Sequence, residues 1–517
     1  YHAQVQPMFR RLMIGLLATA GVSACSVNPV TGKSDLIFTS VADDIQVGQQ
    51  YYAPSQQSQG GVYDVDPELT RYVQEVGQKL AAQSPVDLPY EFVILNNSVP
   101  NAWALPGGKM AINRGLLVEL DNEAELAAVL GHEVVHAAAR HSAQQQSRGV
   151  LGQVLVVATA VAAGDSRYGD LAVGGAAVGT QLISSKYGRS AELESDRYGM
   201  QYMSAAGYDP QGAVSLQQTF VRLSEGRNQD WLSGLFASHP PSQERVEANK
   251  ATAAMLPPGG IIGEDRYQRA MQKTLDAKSA YDAYDEGRKA LAKKETAKAL
   301  ELANKVIDEF PAEAHFHALR GDVRYMENNY EWAVTNYSRA LDRRPGFFYY
   351  SLQRGMALRK LGQTDDAIAD LERSIELMPT APAHYTLGEI AEERGRKQDA
   401  IEHYRVVAKS GGEYGQKANA RLARLELSSN PGAYIPHRCD ADNNANLVVT
   451  VQNKTNINVR GVQIAVSYTD AAGRAQRSVH SVGRVLQPDG IASVYTGLGP
   501  YSGGACPVDV IAAEPDL

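Results

Sequence analysis

The sequence predicts a multidomain, mainly α-helical chain: a front helical domain with a small β-sheet, an α-solenoid in the middle, and a small antiparallel β-sandwich at the end. Three observations carry this. An apolar helical run, Ala127-Ala128-Val129-Leu130, leads straight into Gly131-His132-Glu133-Val134-Val135-His136. Gly, Ala and Pro then recur with a period of 34 residues through the middle of the chain. From about residue 430 the apolar period falls to two. A length of 517 residues accommodates several domains. The expected boundaries are 1–25 for a leader, 26–252 for the front domain, 253–279 for a linker helix, 280–430 for the repeats and 431–517 for the β-domain.

His132 and His136 stand four apart. On a helix they share one face, so both imidazoles reach a single metal ion. Glu133 lies off that stripe and is placed to polarise a water beside the metal. HExxH is the pattern of zinc peptidases. Two histidines on an ordinary surface helix are the plain alternative. The apolar run before His132 argues against it, because it marks a core helix with polar groups facing inward, and such groups need partners. Catalytic zinc takes three protein ligands and leaves one position for water. Arg189-Ser190-Ala191-Glu192-Leu193-Glu194-Ser195-Asp196 offers the third. Glu192 is the candidate ligand. Asp196, one turn on, is placed to accept the free N–H of a liganding histidine. Arg189, one turn before, is expected to pair with a carboxylate, and Glu194 to fall on a different, solvated face. Alone, this stretch also suits a charged surface helix.

HExxH followed by RxxExxxD resembles the zinc metallopeptidases of family M48. Further segments extend the resemblance over about residues 25–250: Asn101 to Ile112, Gly115-Leu116-Leu117, Asn122 to Leu126, and His239-Pro240 with Arg245. The resemblance implies a zincin-like (gluzincin) protease domain. It implies one Zn2+ per chain on His132, His136 and Glu192, with Glu133 as general base and then proton donor to the leaving amine. Zinc lowers the pKa of its water to about 7 and polarises the scissile carbonyl. Lys109-Met110-Ala111-Ile112-Asn113 reads as an edge strand, and the family implies that an extended substrate pairs with it. His239 resembles a family histidine near the metal. It either stabilises the oxyanion or fills the open position as a latch; a plain loop residue before Pro240-Pro241 is the alternative. Val150 to Gly164 and Leu171 to Ser184 are apolar and shorter than the ~20 residues that span a bilayer. They read as a helical hairpin over the site, with contact to the bilayer surface as the alternative.

Met8 to Cys25 reads as a lipoprotein signal. Arg10 and Arg11 precede a short apolar run, and Val22-Ser23-Ala24-Cys25 resembles a lipobox that leaves Cys25 lipidated. Tyr1 to Pro7 precede the expected start methionine. Ser26 after the cysteine points, by analogy with Gram-negative sorting, to the periplasmic side of the outer membrane. In an exported chain, the pair Cys439 and Cys506 suggests one disulfide. The net charge of −8 offers no electrostatic footprint for nucleic acid.

Pro311, Pro345 and Pro379 are spaced by 34, as are Gly287, Gly321 and Gly355, with Gly388 next; Ala299, Ala333, Ala367 and Ala400 keep register. This is the tetratricopeptide signature. Small residues let the two helices of a repeat pack closely, proline ends the second helix, and Tyr337 and Tyr404 fill the large apolar position. Four units and a cap helix from Tyr414 to Leu427 are expected. Such stacks usually bind proteins or peptides; a plain spacer is the alternative. The protease-plus-repeat layout resembles repeat-bearing members of the family, which implies docking of protein clients or envelope assembly machinery. The C-terminal domain departs from that layout. There, Asn446 to Gln452 is one strand, Val462, Ile464, Val466 and Tyr468 form a face of the next, Asp470 to Gly473 and Gln487 to Gly490 are turns, and Ala492 to Val494 begins another strand. The expected function is a lipid-anchored zinc metalloendopeptidase of the envelope that cleaves misfolded or unassembled proteins. The rival is a periplasmic chaperone or scaffold with a latent zinc site.

Overall fold

The front domain is organised around a helix with no outward face. In the computed structural model, residues 25–152, 168, 171–173, 175–183, 186–226, 235–469, 473–501 and 506–516 are described. The leader up to Ala24, most of the run from Val150 to Gly164, the connector that follows it apart from Tyr168, and most of the turn at Asp470 lie outside the described residues. The described part is mostly helical with small sheets.

Strands β1 (Cys25–Val27) and β2 (Ser34–Leu36) form an antiparallel hairpin. Helix α1 (Val41–Ser58) opens on a Ser40–Asp43 capping box, and α2 (Pro67–Ala81) on the Asp66 side chain. Strands β3 (Glu91–Leu95), β4 (Ala102–Leu105) and β5 (Lys109–Asn113) make a sheet in the order β3-β5-β4. The expectation that Lys109, Met110, Ala111 and Ile112 lie on an edge strand is therefore corrected. β5 is central, paired in parallel with β3 and antiparallel with β4. A tight turn through Gly107 (φ +77°) and Gly108 (φ +86°) folds β5 back on β4, and β3 closes the other side. Alternation shows that a strand exists; it does not show what lies beside it.

Every residue of α3 (Glu123–Ala138) is buried, and the Asn122 side chain caps it by accepting from the Glu125 amide at 3.0 Å. Helices α4 (His141–Gly152), α5 (Gly175–Ile183), α6 (Arg189–Ala205), α7 (Gln211–Gly226), α8 (Gln243–Ala253) and α9 (Glu264–Asp276) follow. Helices α3 and α6 cross glycine on glycine. A Cβ at Gly199 would lie 3.0 Å from the His132 amide nitrogen, and one at Gly131 would lie 3.2 Å from the Gly199 carbonyl oxygen. This close approach sets α6 beside the histidine face of α3. From the second apolar run, α5 packs against α1, and Ile183 joins a core with Tyr52 and Trp103.

By internal packing the chain divides between Met378 and Pro379. The first unit continues with six repeat helices, α10 (Lys278–Ala292), α11 (Thr296–Glu309), α12 (Ala314–Met326), α13 (Tyr330–Arg343), α14 (Phe348–Lys360) and α15 (Thr364–Leu377). α11 and α13 stop just before Pro311 and Pro345. A Cβ at Gly321 would lie 2.6 Å from the Tyr337 ring, which explains why a glycine and a large ring recur together. The repeats are joined to the front domain through the end of α1. Gln57 bonds both the Gly346 carbonyl (2.8 Å) and the Phe348 amide (2.9 Å), Arg344 pairs with Asp64, and His315 Nε2 reaches the Gly60 carbonyl at 3.0 Å. At the centre of this joint, buried Glu313 accepts from Asn96 (3.1 Å) and Tyr281 (2.5 Å).

The second unit holds α16 (Ala381–Glu393), α17 (Lys397–Ala408) and α18 (Gly412–Glu426), with Gly388 against Tyr404 as in the earlier repeat. Strands β6 (His437–Ala441), β7 (Leu447–Gln452), β8 (Val459–Thr469), β9 (Ala475–Ser481), β10 (Ile491–Tyr495) and β11 (Val508–Pro515) form two antiparallel three-stranded sheets, β10-β7-β6 and β11-β8-β9. Val449 and Val451 of one share an apolar core with Ile464, Val466 and Val510 of the other. Cys439 and Cys506 form a disulfide with Cα atoms 5.5 Å apart. Among the described residues no helix is long and apolar enough to cross a membrane.

Candidate metal centre

The centre grows from three short segments: α3, the first turns of α6, and the His239-Pro240 loop leading into α8. His132, His136, Glu192 and His239 are all buried, and one ligand atom from each lies within 4.8 Å of all the others. His132 Nε2 is 2.9 Å from His136 Nε2 and 3.3 Å from His239 Nδ1. Glu192 brings its carboxylate to within 3.6 Å of His132 Nε2, 3.4 Å of His136 Nε2 and 3.0 Å of His239 Nδ1.

The surrounding bonds fix what these atoms offer. His132 Nδ1 lies 2.8 Å from Asp196 Oδ1. A carboxylate only accepts, so Nδ1 carries the proton and the Nε2 lone pair faces inward. Arg245 forks onto Asp196 with two bonds of 2.7 Å and reaches Glu192 at 2.9 Å. Burial pushes the His136 imidazole down, which keeps it neutral. Burial also works against the anions Glu192 and Asp196. The charges of His239 and Arg245, with their hydrogen bonds, overcome it and hold Glu192 well below, and Asp196 below, the usual carboxylate range. Against burial, Glu192 and Glu133 push His239 up. Inward-facing imidazole lone pairs beside a carboxylate repel one another unless a cation lies among them. The donor set fits a divalent transition ion.

Glu133 sits differently. Burial pushes its carboxyl up, Oε1 is 3.6 Å from His239 Nε2, and Oε2 is buried without a hydrogen-bond partner. Its group is therefore poised beside the cluster to handle a proton. A cavity of about 30 Å3 next to it is lined by Ala102, Val129, His132, Phe220, Leu235 and His239, among others.

His132, Glu133, His136, Glu192, Asp196 and His239 are thus brought together: the i, i+4 spacing pairs His132 with His136 and Glu192 with Asp196, and His239 arrives on a separate loop. Arg189 is not: it is exposed and pairs with Glu244, because its position at the start of α6 turns it outward. Its expected place beside the carboxylates belongs to Arg245. Glu194 is also corrected. It is part-buried rather than solvated, and accepts from His141 Nε2 (3.2 Å) and Asn28 (3.1 Å). Spacing alone gives no site-shaping role to His141, Tyr187 or Arg245. Tyr187 stacks on His136 with ring centroids 4.0 Å apart and bonds Ser142 at 2.8 Å. A third histidine five residues past His136 was the available signal.

The model of Peptidase family M48 matches residues 67–253, and that of the tetratricopeptide repeat matches residues 284–346 and 352–414. The chain is 27% identical over 282 residues to the beta-barrel assembly-enhancing protease of Escherichia coli K12, covering 52% of this chain and 56% of that one. It is 28% identical over 289 residues to the protein of that name from Yersinia pestis, covering 52% and 58%. It is 34% identical over 182 residues to the mitochondrial metalloendopeptidase OMA1 of Schizosaccharomyces pombe, covering 34% and 51%. The chain spans about half the length of the curated relatives it matches. With the cluster on α3 and α6 inside the matched segment, the chain carries a peptidase family M48 domain followed by tetratricopeptide repeats, homologous to the beta-barrel assembly-enhancing proteases.

Proposed function

We propose that the chain is a zinc-dependent metalloendopeptidase of the cell envelope that cleaves misfolded or unassembled proteins. The carrying observation is the convergence of His132, His136 and Glu192, with Asp196 fixing the His132 tautomer. Zinc held there would act as a Lewis acid toward the scissile carbonyl and make water acidic near neutral pH. Glu133, its carboxyl pushed up by burial, takes the proton from the attacking water and returns it to the leaving amine. Asp196 and Arg245 keep the ligands oriented while that proton moves. An extended peptide pairs with the outer edge of β4, since Ala102 lines the cavity beside His132 and Glu133. His239 serves as a latch: it joins the cluster and leaves a cavity of only about 30 Å3.

The repeats dock protein clients, and the relatives' names point to unassembled β-barrel proteins as the class. The two C-terminal sheets, sharing one apolar core, form a β-sandwich that serves as an interaction module. Cys25, at the end of the lipobox, carries a lipid anchor at the periplasmic face of the outer membrane. The tight cavity also favours a second reading, a chaperone or scaffold whose zinc site stays latent.

Casein cleavage with and without a chelator, run beside elemental analysis, separates the two. One zinc per chain and chelator-sensitive cleavage are expected, and Glu133→Gln should keep zinc and lose cleavage. Loss of zinc in that variant, or unchanged cleavage, overturns the role of Glu133. His239→Ala should raise cleavage if the residue is a latch; a fall of up to about 10²–10³ assigns it to the oxyanion instead.

A further inference from the structure

We propose that the N-terminal segment 28–44 braces the metal ligand His136 through a relay ending in His141, an inference that rests on the zinc reading above. His136 and His141 face each other Nδ1 to Nδ1 at 2.9 Å, and His141 Nε2 lies 3.2 Å from Glu194 Oε1. Only one order of protons satisfies the chain when His136 Nε2 faces the metal. Glu194 accepts from His141 Nε2–H, His141 Nδ1 accepts from His136 Nδ1–H, and His136 Nε2 keeps its lone pair. Glu194 therefore does for His136, at one remove, what Asp196 does directly for His132. The Ser195 hydroxyl, 3.4 Å from His141 Nδ1, is the other group that reaches this nitrogen.

The relay is held from outside by two limbs. Asn28, 1% exposed, donates its amide to both Glu194 (3.1 Å) and Asp35 (3.0 Å), and Gln144 of α4 donates to the same Asp35 oxygen at 2.9 Å. The second limb controls the backbone. Arg140 joins α3 to α4 with φ 59°, a conformation non-glycine residues rarely adopt. It is what turns the chain so that His141 points back at His136. Its guanidinium is gripped by Asp44 at 2.5 Å and by the Thr39 carbonyl and hydroxyl at 2.7 and 3.0 Å. Phe38 adds a bond from its amide to Ser147 of α4 at 3.1 Å. Segment 28–44 so touches both the side-chain end and the backbone end of the relay. It makes His141 a positioning residue and Glu194 its orienter.

The test is zinc affinity by chelator competition, together with the visible spectrum of the cobalt-substituted full chain. His141→Phe keeps the ring's shape but removes the acceptor, and with Glu194→Ala should bind zinc about 10–100-fold more weakly. Both should alter the cobalt spectrum. Glu194→Gln, which still accepts from His141, should recover to within about threefold of wild type, and Asn28→Ala should fall between. Glu192→Ala is the control for a lost ligand. If that control loses zinc while His141→Phe and Glu194→Ala stay within about twofold with unchanged spectra, the relay is overturned and the zinc site stands. The relay is equally overturned if the variants only lower the melting temperature of the metal-free chain. Should His141→Phe fail to fold, the Glu194 pair decides alone. A wild-type chain that binds no zinc overturns the zinc reading and the relay with it.

Discussion

Glycine is used in opposite ways in the candidate metal centre and in the repeats. At Gly131 and Gly199 it lets two backbones meet with nothing between them. At Gly321, and again at Gly388, it makes room for a tyrosine ring. The first use fixes a distance between helices, and the placing of Glu192 beside the two histidines depends on that distance. The second fills a core, and what depends on it is stability. The repeat use recurs with a period and can be read in one dimension. The crossing of α3 and α6 joins segments with no common pattern.

Removing a ligand should show the largest effect on the metal side. Glu192→Ala should lose zinc outright by elemental analysis, and Asp196→Asn should weaken it by about 10–100-fold. Equal metal in wild type and Glu192→Ala would put the third ligand elsewhere.

Two alanines put the contrast between the glycines to a direct test. Gly321→Ala drives a methyl into the Tyr337 ring and should cost about 1–3 kcal/mol, the usual range for overpacking, with zinc affinity unchanged. Gly199→Ala meets backbone, which yields less readily than a ring, so it should part α3 from α6 by a few tenths of an ångström. It should weaken zinc binding in chelator competition. If both variants act only on melting temperature, the crossing does not set the ligand distance.

An effect of comparable size is one of pH, at the joint between the front domain and the repeats. Against burial, the charges of Arg344 and His315 pull the Glu313 carboxyl down to about 2. Its value in the unfolded chain is about 4.3. A depressed carboxyl contributes stability that is fully present above the unfolded value and is lost as pH falls through the folded one. Denaturant melts should therefore show a loss of about 2–3 kcal/mol between roughly pH 5 and pH 2, smaller in Glu313→Gln. An identical pH slope in the variant removes Glu313 from that account.

The spacing of His132, Glu133, His136, Glu192 and Asp196 was legible because helix geometry turns sequence offsets into faces. Period 34 was legible for the same reason, and α11 and α13 stop where proline requires. Strand order was not, so Lys109 to Asn113 took the centre of its sheet instead of an edge. Arg189 finds its carboxylate away from the cluster, and Glu194 is part-buried, because their partners, Glu244 and His141, come from other segments. The turn at Arg140 carried no glycine to announce it. Its left-handed backbone is held by contacts with Asp44 and Thr39, far off in the chain.

The joint around Glu313 also bears on how the molecule comes apart. Asn96 and Gly60 of the front domain, with Tyr281, Glu313 and His315 of the first repeats, share one hydrogen-bonded knot away from water. A protease nick between α8 and α9 would cut the covalent link there and leave this knot intact. The two pieces should co-elute until acid or denaturant opens the joint.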